Sequence, residues 1–273
     1  MIPAQELTWT YPQAAFGLSS VVVSVPEHPK GKKFPVLIAL HGMSEARKSP
    51  AGGARGWLDD YGMKRAQLRL KKAPLVTADF GGMVTAERLG ALNRSLSVRP
   101  YRGVIVVTPY LPDVLRAERA FANYPALAAF YVDQVLPRVL KETPALPERR
   151  HHGIDGVSLG GRAALMIGLS RSDRFGAVGA LQPALDEKEL ARMTSLASLA
   201  RAKAPDLQLR LLTSADDYYL GTTQTLSALW DKAQIAHRLD LVQGDHSYAF
   251  NRGPGVYELL LHYDRVLRTE PYL

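Results

Sequence analysis

No cysteine occurs among the 273 residues. That excludes a disulfide scaffold, a thiolate zinc site, an iron–sulfur cluster and a cysteine nucleophile. No apolar run approaches the ~20 residues of a membrane span. No repeat recurs at a period of tens of residues, and neither a phosphate loop nor a dinucleotide fingerprint is present, since Gly81-Gly82 lacks the spacing of either. The start, MIPAQELTWT, has no charged segment leading into an apolar core, so as written the chain reads as cytoplasmic. An exported protein whose signal had been removed gives the same kind of start, and that compartment stays open. Seven dispersed histidines without cysteine offer no ligand cluster, so neither a metal nor a cofactor is expected.

What the chain has is apolar and basic. Hydrophobic residues make up 47% and charged residues 22%, enough to bury a large core. The net charge of +8 invites a nucleic-acid or anionic-membrane reading. Its distribution argues otherwise: the runs Lys30–Lys33, Lys71-Lys72 and Arg149-Arg150 are short, scattered and not interleaved with aromatic rings. They read as solvated surface, and a small-molecule substrate is expected rather than a nucleic acid.

Strand and helix patterns alternate. Ser19–Val25, Phe34–Leu40, Gly103–Thr108, His152–Ser158, Phe175–Leu181, Leu207–Thr213 and Arg238–Val242 read as strands, the inner ones as nearly continuous apolar runs. Ala122–Glu142 carries Leu127, Phe130, Tyr131, Val135, Leu136 and Val139 at helical spacing, with Pro137 expected to kink or end the helix. Further helices are expected over Arg162–Leu169, Glu187–Lys203, Thr222–Ala236 and Tyr257–Leu267. This alternation predicts one α/β domain over residues 1–273, a mostly parallel sheet covered on both faces, with ligand sites at the carboxyl ends of its strands. Residues 44–101 exceed a single βα connection and read as an insertion or cap over that end. Trp57, Tyr61 and Phe80 within it are candidate pocket walls, although aromatic residues at such spacing more often pack in a core.

Four segments carry chemistry. Gly156-Val157-Ser158-Leu159-Gly160-Gly161 is a G-x-S-x-G turn between a strand-like and a helix-like stretch, the setting in which a serine oxygen is lifted clear of a sheet. A serine hydroxyl is a poor nucleophile and needs a base within reach. His246, in Gly244-Asp245-His246-Ser247-Tyr248 after the last strand, is the best placed of the histidines; His41 reads as structural. The strand Leu211–Thr213 runs into Ser214-Ala215-Asp216-Asp217, where an acid can orient the imidazole. Asp217 is taken as that acid, with Asp216 as the alternative and Asp186 a remoter one. The oxyanion of a tetrahedral intermediate needs donors, and the backbone N–H groups of Leu159 and of Met43, in the turn His41-Gly42-Met43-Ser44, are the candidates, with Ser44 as the alternative to Met43. The order Ser158, Asp217, His246 is nucleophile, acid, base, as in α/β-hydrolases.

With FPVLIALHG at 34–42, DGVSLGG at 155–161, TSADDYYL at 213–220 and GDHSYAF at 244–250, the chain resembles the esterase D, feruloyl esterase and mycolyltransferase branch of the α/β-hydrolase superfamily. Gly244-Asp245-His246 matches the G-x-H pattern of that branch. S-formylglutathione hydrolases of the branch carry a cysteine near the oxyanion turn, which this chain lacks. The resemblance implies a serine carboxylic-ester hydrolase. Acyl transfer to an alcohol acceptor and a non-catalytic binding protein of the same fold remain as alternatives.

Overall fold

A computed structural model describes residues 1–14, 17–114 and 123–273. Among them run eight strands: β1 (Gln5–Ala14), β2 (Gly17–Val25), β3 (Val36–Leu40), β4 (Ile105–Pro109), β5 (His152–Gly156), β6 (Ala177–Leu181), β7 (Gln208–Asp216) and β8 (Arg238–Asp245). They form one sheet in the order β1-β2-β4-β3-β5-β6-β7-β8. β3 to β8 are mutually parallel, and β2 pairs antiparallel with both β4 and β1. β3 is followed by β4 on one side and β5 on the other, so the crevice where the order reverses opens at the carboxyl ends of β3 and β5.

Every residue of β3, β4, β5 and β6 is buried, as central parallel strands require. Alternate side chains feed two cores. Val36, Ile38, Leu40, Ile105 and Val107 join the core beneath the helices Leu159–Ser170, Leu190–Lys203 and Leu220–Lys232. Leu37, Ala39, Val104 and Val106 join the opposite core, under Met63–Leu70, Ala86–Val98 and Val256–Val266. Fully burying one such leucine or valine is worth about 1.5–3 kcal/mol, so the two layers set the register of the sheet. That register fixes where the strands end, and so where the loops beyond them begin.

Three local expectations change. β1 escapes the sequence reading because its alternating polar residues and Pro12 suit only a solvated edge. The expected helix Ala122–Glu142 begins at a residue outside the described ones. From Asn123 it runs unbroken to Glu142, and Pro137 does not end it. A π-helical stretch, Phe130–Val135, precedes the proline, and a missing N–H is tolerated where the ladder is already shifted. β8 continues past Val242 through Gly244-Asp245, and so delivers His246 directly from a strand end. Trp57, Tyr61 and Phe80 are buried in the second core, the place aromatic residues at such spacing more often take, and line no open wall. Among the described residues, no helix is long and apolar enough to cross a membrane.

Candidate active site

Ser158 stands between β5 and the helix Leu159–Ser170 with φ +57° and ψ −117°. A non-glycine residue in such a conformation costs on the order of 1–3 kcal/mol and persists only when its surroundings enforce it. They do. Its N–H donates to the carbonyl of Leu181 (3.0 Å), and its own carbonyl accepts from the N–H groups of Arg162 (3.1 Å) and Ala184 (3.0 Å). The glycines are steric necessities. A Cβ on Gly160 would lie 2.3 Å from the Leu40 carbonyl oxygen, and one on Gly156 would lie 2.5 Å from the Gly160 backbone. The helix therefore starts hard against the ends of β3 and β5, with Leu159 as its first residue. That N–H has no partner within the helix, as for the first N–H groups of any helix.

The turn after β3 is held from both sides. The Gly42 carbonyl accepts from His41 Nδ1 (3.0 Å) and from the Ala46 N–H (3.3 Å), while His41 Nε2 accepts the Leu111 N–H (2.9 Å). Both ring nitrogens are thus committed, and burial lowers the His41 pKa to about 4, so the ring is neutral. The Gly42 N–H donates to Tyr61 Oη (3.0 Å). With the carbonyl of the Gly42–Met43 peptide tied down, peptide planarity points the Met43 N–H the opposite way. Met43 is also the first residue of a short helix, Met43–Ala46.

His246 and Asp217 meet. The imidazole Nδ1 donates to Asp217 Oδ1 at 2.9 Å. Asp217 also accepts the Tyr219 N–H on Oδ1 (3.0 Å) and the Thr213 hydroxyl on Oδ2 (2.8 Å), and it is buried. Asp216 and Asp186 are exposed, and Asp186 caps the turn Glu187–Glu189 by accepting the Lys188 N–H. The rings of Tyr218 and Tyr219 lie 4.4 and 5.5 Å from the His246 ring. Gln182, after β6, has φ +42° and spans the ends of β7 and β8: its amide donates to Ser214 Oγ (2.6 Å) and to the Asp245 carbonyl (2.9 Å). Among the described residues, no hydrogen bond joins Ser158 Oγ to His246. Such contacts are often loose before substrate binds.

The sequence reading did not single out Gln182, nor Glu45, which is buried beside the turn after β3 and accepts hydroxyls from Tyr61 and Tyr248. Glutamate one position beyond a turn carries no periodic or motif signal. The only hint is a charge inside the otherwise uncharged stretch Gly42–Ala46. Within β5, burial pushes the Asp155 carboxyl up to about 7, against the opposing effects of Arg210, the Gly156 N–H and Tyr263. A cavity of about 290 Å³ between Glu6, Val25, Lys64, Leu68 and Tyr101 lies toward the opposite end of the sheet and is no part of this site. Among the described residues, no group of three or more His, Asp or Glu side chains converges as a metal site.

The family model described as "Putative esterase" matches residues 113–252, a stretch that includes Ser158, Asp217 and His246. The chain belongs to this esterase family. It is an esterase-type enzyme of the α/β-hydrolase fold, and solved structures bear out the architecture. It is similar to a ferulic acid esterase, with a TM-score of 0.71 over 97% of this chain and 100% of that one, at 19% identity. It is similar to S-formylglutathione hydrolase FrmB from Staphylococcus aureus, with a TM-score of 0.65 over 94% and 97% of the two chains, at 15% identity. The ferulic acid esterase AmCE1/Fae1A from Anaeromyces mucronatus gives a TM-score of 0.60 over 94% and 90%, at 18% identity. At these identities the likeness speaks for the fold. No curated protein matches this esterase in sequence.

Proposed function

We propose that this esterase hydrolyses carboxylic esters through an acyl-enzyme on Ser158, within one domain over residues 1–273 in which 44–101 is an insertion. The observation that carries the reading is the His246–Asp217 hydrogen bond of 2.9 Å, in a chain whose Ser158 is held in a strained turn. With Nδ1–H given to Asp217, Nε2 bears the lone pair and can take the Ser158 proton as Oγ bonds to the acyl carbon. The carbonyl oxygen becomes the oxyanion, and the N–H groups of Met43 and Leu159 are its donors. Losing one such donor typically costs about 3 kcal/mol of transition-state stabilisation.

Collapse of the adduct breaks the ester C–O bond, and the imidazolium returns its proton to the departing alcohol. Water then attacks the acyl-enzyme, giving its proton to His246. A second collapse releases the acid and restores the Ser158 hydroxyl. Asp217 holds the tautomer and stabilises the imidazolium in both halves. The supporting context is the esterase family match and the buried, triply hydrogen-bonded Asp217. The test is turnover of a simple aryl acetate by wild type and by Ser158→Ala. The wild type is expected to turn over and the variant, folded, to be inactive; equal turnover would overturn the assignment.

A further inference from the structure

Glu45 is wholly buried, and a buried carboxylate is costly unless its oxygens are filled. Lys48 is nearby but does not fill them: its ammonium lies 3.9 Å from Glu45 Oε1 and 2.6 Å from Asp60. Two phenols do. Tyr61 donates to Oε2, and Tyr248, from 203 residues away, donates to Oε1 at 2.5 Å. The two segments they come from matter. Tyr61 also accepts the Gly42 N–H, so it grips the oxyanion turn. Tyr248 is two residues beyond His246, in a short helix capped by the Ser247 hydroxyl.

We propose that Glu45, Tyr61 and Tyr248 form a strap that fixes the oxyanion turn relative to the loop bearing His246, and that these three are positioning residues for ester hydrolysis. The inference rests on the serine-hydrolase reading above. Tyr248 is 37% exposed overall, a surface position that does not by itself commit its hydroxyl to a buried carboxylate. It turns inward instead, its ring 5.8 Å from that of Tyr61, and the Arg252 guanidinium lies 5.6 Å from the Tyr248 ring centroid. Arg252 in turn donates to the Asp60 carbonyl (2.7 Å), a second tie between the same two segments. Nor is there slack around the Glu45 side chain: a Cβ on Gly56 would lie 2.5 Å from its Cγ. Burial and the Glu45 carboxylate raise the pKa of both phenols, which keeps them donors.

The experiment compares wild type with Tyr248→Phe and Glu45→Gln. The readouts are kcat, KM, fluorophosphonate labelling rate and the affinity of an aryl boronic acid, which mimics the tetrahedral anion on serine. Tyr248→Phe removes one hydroxyl from a partly exposed ring and is the variant expected to fold in any case. It should lower kcat about 5- to 20-fold and weaken the boronate by a similar factor, with KM within about twofold. Glu45→Gln keeps the shape but has one acceptor oxygen for two donors, and should lose more. Wild-type kcat and boronate affinity in both variants, while the wild type turns over, would overturn the strap alone. So would equal losses in kcat and KM that merely track a lowered melting temperature. A wild type that neither labels nor turns over would overturn the parent reading and the strap with it.

Discussion

Replacing Asp217 by Asn separates the two tasks given to the acid. Oδ1 accepts two N–H groups, from His246 and Tyr219, while Oδ2 accepts only the Thr213 hydroxyl, which can rotate and accept instead. An asparagine should therefore place its oxygen at the Oδ1 position and its NH₂ toward Thr213. The imidazole keeps its Nδ1–H tautomer, and what is lost is the negative charge facing the imidazolium. With charge centres about 4 Å apart and an effective dielectric near 20, that charge is worth roughly 4 kcal/mol, or about a thousandfold in rate. The assay is kcat on an aryl acetate, with Asp216→Asn as the control because Asp216 is exposed. Asp217→Asn should lose about 10³ in kcat with KM little changed, and Asp216→Asn should stay near wild type. A loss below tenfold, or equal losses in both variants, would refute the assignment and the electrostatic argument behind it.

Three further outcomes follow from the geometry. Gly160→Ala sets a methyl 2.3 Å from the Leu40 carbonyl and 2.6 Å from that of His41, so backbone must move; urea titration should show a loss of about 2–3 kcal/mol together with lost turnover, and a wild-type-like variant would contradict the close approach. Asp155 has a folded pKa raised to about 7, so the stability its bound proton contributes is present in acid and fades as pH rises from about 4 through 7; Asp155→Asn should flatten that fall by up to about 4 kcal/mol, and parallel melting-temperature profiles would exclude it. Tyr218 exposes its ring beside His246, so Tyr218→Ala should weaken kcat/KM for aromatic-acid esters several-fold more than for acetates, and an unchanged ratio would show that the ring makes no contact with the acyl group.

The parallel core of the fold was legible because buried central strands read as unbroken apolar runs: Val36–Leu40 and Ile105–Pro109 lie within two residues of where those runs placed them. The edge was not. β1 is half solvated and its polar alternation imitates a loop. The continuous helix through Pro137 was hidden because a π-helical shift leaves no mark in a pattern of period 3.6. At the site, sequence names side chains that sit at strand ends, since those follow apolar runs. Glu45, Tyr61 and Tyr248 are joined across 16 and 203 residues by hydrogen bonds that no spacing encodes. Trp57 and Phe80 are a milder case: aromatic residues in an insertion suit a pocket wall or a core, and the second core holds them, as such spacing more often has it.

Ester hydrolysis by this chain requires an activated Ser158. Intact mass after exposure to a fluorophosphonate, with Ser158→Ala in parallel, tests it most directly. One adduct on wild type, mapped to Ser158 and absent from the folded variant, is the expected result. Folded wild type without an adduct, or an adduct that survives Ser158→Ala, would contradict it.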